Sequence, residues 1–63
     1  MTVKQIRSEL VKVLERQRVA VESMDRSNPS VTRLVTCAED MAEITEAIIK
    51  YIDGDNVTIK LFQ

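Results

Sequence analysis

Apolar residues recur at alternating steps of three and four along the first part of the chain: Val3, Ile6, Leu10, Val13, Ala20 and Met24, with Gln17 as the polar member of the series. Leu14 and Val21 widen the stripe. A period near 3.6 predicts an amphipathic helix over about 2–25. Thr2, followed three positions later by Gln5, fits a reciprocal capping box at its start. Gln17 reads either as a partly solvated or bridging amide, or as a register device of the kind found at coiled-coil core positions. Val19 falls on the otherwise polar face.

Residues 26–28 predict a turn. Asn28 suits an N-cap and Pro29 the first helical position, where its fixed φ and missing N–H do no harm. A second stripe follows, made of Val31, Leu34, Val35, Ala38, Met41, Ala42, Ile48, Ile49 and Ile52. It predicts a helix over about 29–53. Cys37, Ile44 and Tyr51 extend the stripe sideways to an arc of roughly 200°. So short a connection predicts an antiparallel pair, and one partner helix leaves part of that arc wet. Gly54 suits a C′ position. The tail, 54–63, contains the alternating run Val57-Thr58-Ile59-Lys60-Leu61-Phe62. It reads as a short strand or as an extended or helical cover. The expected fold class is all-α: one domain over 1–63, an antiparallel two-helix hairpin assembling into a homo-oligomeric helical bundle, with a short extended C-terminal tail.

Composition reinforces the expectation of oligomers. Below roughly 70–80 residues one core rarely contributes more than ~3–5 kcal/mol without disulfides, metal or association. The chain has 63 residues, one Cys, no His and no Trp. One Cys excludes an intrachain disulfide, and no His with one Cys excludes a conventional structural zinc site. No run approaches the ~20 apolar residues of a membrane span. Lys4, Arg7 and Glu9 mark the start as unlike a signal peptide, so no membrane association and a cytoplasmic location are expected. Net charge is −1. Arg7, Lys12, Arg16, Arg18, Arg26 and Arg33 form no clean stripe, since Glu9, Glu15 and Glu22 interleave with those on the first helix. Nucleic acid is therefore not an expected partner. Residues 1–33 carry seven basic and four acidic groups, and 34–63 carry two basic and six acidic. Antiparallel packing sets these halves side by side. Arg18, Arg26 and Arg33 near the turn are candidates to hold a small anion such as a nucleotide.

Catalytic chemistry has few candidates. There is no His base and no Gly-rich phosphate loop. Cys37 reads as a small core residue. One constellation stands out: Glu39, Asp40, Glu43 and Glu46. On a helix these lie three and four apart and repel one another. Mg²⁺ offsets such repulsion, often with one or two carboxylates plus substrate phosphates. The other reading is a solvated acidic face opposite the apolar stripe, relieved by Lys50.

The stretch 34–54, with Glu39-Asp40-Met41-Ala42-Glu43 at its heart, resembles the first half of MazG-like all-α nucleoside-triphosphate pyrophosphohydrolases, the small phage members above all. The family's Glu-Glu-x-x-Glu motif falls on Glu39, Asp40 and Glu43, with Asp40 in place of the second Glu. The resemblance implies a dimeric or tetrameric helical architecture, with carboxylates holding Mg²⁺ against the phosphates while water releases pyrophosphate. Glu39 and Glu43 become the implied ligands, assisted by Asp40 or Glu46. The family's later Glu-x-x-Asp does not follow Glu43 in these 63 residues. The implied function is a nucleotide-directed, Mg²⁺-binding half-domain with reduced or no pyrophosphohydrolase activity. The alternative is a non-catalytic small phage-type binding or inhibitor protein, which oligomerises and binds a host protein or sequesters a nucleotide.

Overall fold

A computed structural model describes residues 1–57 and 59. The described residues are all-helical in architecture: α1 (Val3–Ser23) and α2 (Thr32–Ile52) pack against each other as an antiparallel hairpin. Each helix has 21 residues, about 31 Å at 1.5 Å per residue.

Local chemistry sets the ends. The Thr2 hydroxyl accepts from the Gln5 amide at 3.2 Å, and the Gln5 side chain accepts from the Thr2 amide at 2.7 Å. Two of the helix's orphan donors are thereby satisfied. Met24 leaves helical angles, with ψ 138°, and ends α1. Two side-chain turns then reverse the chain. Asp25 Oδ1 accepts from the amide and hydroxyl of Ser27, and Asn28 Oδ1 does the same for Ser30. Pro29–Val31 forms one 3₁₀ turn, so Asn28 caps that turn and α2 itself begins at Thr32, three residues after the expected start. Beyond α2, Gly54 takes φ 86°. Its amide donates to Tyr51 O and the Asp55 amide donates to Lys50 O, the paired bonds of a Schellman cap. Val57 and Ile59 belong to no helix or strand, whereas Thr58 and 60–63, on which the tail expectation also falls, lie outside the described residues.

The helices meet along two seams of three-four spacing. On α1 the seam is Leu10, Leu14, Gln17, Val21 and Met24; on α2 it is Val35, Ala38, Ala42, Thr45, Ile49 and Ile52, all buried or half-buried. Ala42, at 0% exposure, lets the helices approach closely. Thr45 is buried with its hydroxyl donating to Met41 O at 2.9 Å, so no polar group is stranded there. This corrects the expected stripe on α1. Val3, Ile6 and Val13 are exposed, and Leu14 and Val21 lie in the contact rather than at its margin. Val19 is 66% exposed. No large side chain among the described residues is fully buried. The hairpin is thus one layer of helices, and a second layer would add to its stability.

Gln17 sits in the seam with Oε1 enclosed and without a hydrogen-bond partner among the described residues. Leaving such a group unpaired costs roughly 1–3 kcal/mol. Gln17→Leu removes that cost, and thermal or denaturant unfolding should show a gain on the order of 1 kcal/mol.

Candidate functional site

The two sides of the helical layer differ in kind. One step after each α2 seam residue stand Thr36, Glu39, Glu43, Glu46, Lys50 and Asp53, all polar. A step of one residue turns the side chain by about 100°, to one side of the layer. Three arginines of the N-terminal half close this side. Arg7 grips Asp53 with both ends of its fork, Nε to Oδ1 at 2.6 Å and Nη2 to Oδ2 at 2.9 Å. Arg18 donates to Glu46 at 2.7 Å, and Arg26 lies 3.0 Å from Glu39. Lys50 reaches Glu46 at 3.5 Å.

These pairs decide what the acidic cluster can do. Glu39, Glu43 and Glu46 are half-buried one step after seam residues, beside the α1 contact rather than opposite it, whereas Asp40, two steps past Ala38, is half-buried on the far face. Glu39, whose side chain is 23% exposed, and Glu46 spend their charge on arginines. Among the described residues no group of three or more His, Cys, Asp or Glu is placed to hold a metal ion. The cation candidates for a nucleotide are divided likewise. Arg18 and Arg26 face different carboxylates, and Arg33 is exposed at the start of α2. The cavity between Arg26, Thr32, Val35, Thr36 and Glu39 measures about 150 Å³, below the ~300 Å³ where small-molecule sites begin.

The Arg7–Asp53 fork ties the first turn of α1 to the end of α2. The hydrogen bond from Arg7 holds the Asp53 carboxyl below its ordinary range. Bonds from the Ser27 hydroxyl and then its amide do the same for Asp25. A depressed folded-state value means stability that is present above the ordinary aspartate range and lost as pH falls through the depressed value. Asp53→Asn should therefore lower the melting temperature at neutral pH, and the difference from the parent chain should vanish in strong acid.

The other side of the layer is apolar. One step before each α2 seam residue stand Leu34, Cys37, Met41, Ile44, Ile48 and Tyr51, again spaced three and four. All six are exposed; Leu34, Met41 and Tyr51 are 61%, 58% and 76% accessible. Cys37, expected in the core, lies in this outer row. A local two-fold normal to the layer relates the antiparallel helices and preserves its sides. Val13 and Ala20, one step before Leu14 and Val21, therefore face the same way, interleaved with Glu9, Arg16 and Ser23. Apolar spots scattered over a surface are ordinary, but a contiguous row marks an interaction surface. The sequence contained this signal. The broad arc on the second helix is two heptad rows 100° apart, and treating it as one stripe hid the second.

No family model matches the chain, and no curated protein or solved structure matches it. Among the described residues no helix is long and apolar enough to cross a membrane.

Proposed function

We propose that this chain is a non-catalytic helical-hairpin module that acts by docking the outer apolar row of α2 against another protein surface. The observation that carries the proposal is the contrast between the two sides of the layer. The side bearing the candidate chemistry has Glu39 and Glu46 committed to arginines, while the opposite side leaves six seam-spaced apolar or thiol side chains exposed, Ile48 and Tyr51 of them beside Val57 and Ile59 of the same chain. Amphipathic helices recognised through such rows are a recurring mode of protein association.

The Mg²⁺-dependent pyrophosphohydrolase reading ranks second, and one assay separates the two. The chain is incubated with Mg²⁺ and a panel of nucleoside triphosphates. Pyrophosphate release and melting temperature are then followed. The docking proposal predicts no turnover and no upward shift in melting temperature with either ligand, since a bound ligand stabilises by mass action. Turnover that disappears in Glu39→Ala or Glu43→Ala would replace docking with catalysis.

A further inference from the structure

Building on that docking function, we propose that the surface covering the outer row is a second copy of this chain, with the two α2 helices antiparallel about a two-fold axis passing between Met41 and Ile44. The row is complementary to itself in this arrangement. Leu34 meets the partner's Tyr51, Cys37 meets the partner's Ile48, and Met41 meets the partner's Ile44. Every member gains an apolar neighbour, as a two-fold interface requires when residue i touches j and j touches i. The smallest side chain, Cys37, opposes a branched one. Tyr51 lies at the end of the interface, where its hydroxyl keeps contact with water.

Charge selects antiparallel over parallel. Arg33 is exposed at the start of α2 and Asp55 is exposed just beyond its end, whereas Asp53 is held by Arg7 on the other side of the layer. Antiparallel pairing brings Arg33 to the acidic end of the other α2, where the helix dipole also favours a cation. Parallel pairing brings like charges together at both ends. Surface area speaks for a partner, of either direction. The chain exposes 5061 Å², whereas a compact monomer of 7.2 kDa exposes about 4,100 Å². The surplus is on the order of the ~800 Å² that each partner loses in a standard stable interface.

Cys37 makes the register measurable, because a disulfide needs Cα atoms within about 7 Å. In the antiparallel pair the two native thiols lie about 16 Å apart along the helices, while position 48 of one copy faces position 37 of the other. Three forms of the full chain are treated with a mild oxidant at micromolar concentration: the native sequence, Ile48→Cys, and Ile48→Cys combined with Cys37→Ser. The proposal predicts a covalent dimer from Ile48→Cys alone. Cross-linking of the native chain, or of the combined variant, signifies a parallel or different pairing and overturns it. Absence of cross-linking in all three overturns it as well. In that event an apolar fluorescent dye tests the underlying function. Dye binding that is lost in Ile44→Glu leaves the docking row in place with a different protein as its occupant. No dye binding takes the docking function down too.

Discussion

Ile44→Glu should leave the hairpin helical and abolish its association. Ile44 stands in the outer row, so the α1–α2 contact does not depend on it, and circular dichroism should retain the signature of two helices. In the paired state the new carboxylate is pressed against the partner's Met41 without a cation to meet it. Withdrawing an unpaired charge from water costs several kcal/mol after relaxation, and two-fold symmetry imposes the cost twice. A dimer dissociation constant should rise by on the order of a hundredfold or more. Val19→Glu is the control. Val19 is exposed and belongs to neither row of α1, so a charge there should leave both helicity and association unchanged.

Ile49→Ala acts on the other row and should have the opposite signature. Ile49 is buried between the helices. Truncating a buried Ile to Ala typically costs about 2–5 kcal/mol. A core of this size contributes no more than ~3–5 kcal/mol, so the variant should be largely unfolded at dilution, with its helical signal lost. The neighbouring Ile48→Ala supplies the contrast. It removes the same atoms from the outer row, so it should weaken association while leaving the fold of the hairpin nearly unchanged. If the two substitutions behaved alike, the division of α2 into an inner and an outer row would be wrong.

Much of the hairpin was legible in the chain because its signals are local. The Thr2–Gln5 box, the Asn28-Pro29 turn and Gly54 each act through neighbours a few residues away, and each forms the bonds its residue types allow. The side of each helix that meets the other was harder to read. Both arcs are wider than one contact needs, and sequence spacing alone does not say whether Leu34 or Val35, Val13 or Leu14, turns inward. Packing geometry decides that, and it turned Leu34, Cys37 and Met41 outward. The acidic cluster was misplaced for the same reason. Once Ala38, Ala42 and Thr45 face α1, Glu39, Glu43 and Glu46 follow one step later at the margin of the contact, and Arg26 and Arg18 reach the first and last of them. Charge counts in the two halves announced such pairing, but not which carboxylate meets which arginine.

Sedimentation equilibrium of the unaltered chain at micromolar concentration puts the central claim to its most direct trial. The expected species has twice the mass of one chain and falls to one chain in Ile44→Glu. A folded, single-chain species of 7.2 kDa across that range would contradict the claim that the outer row of α2 is covered by a second copy.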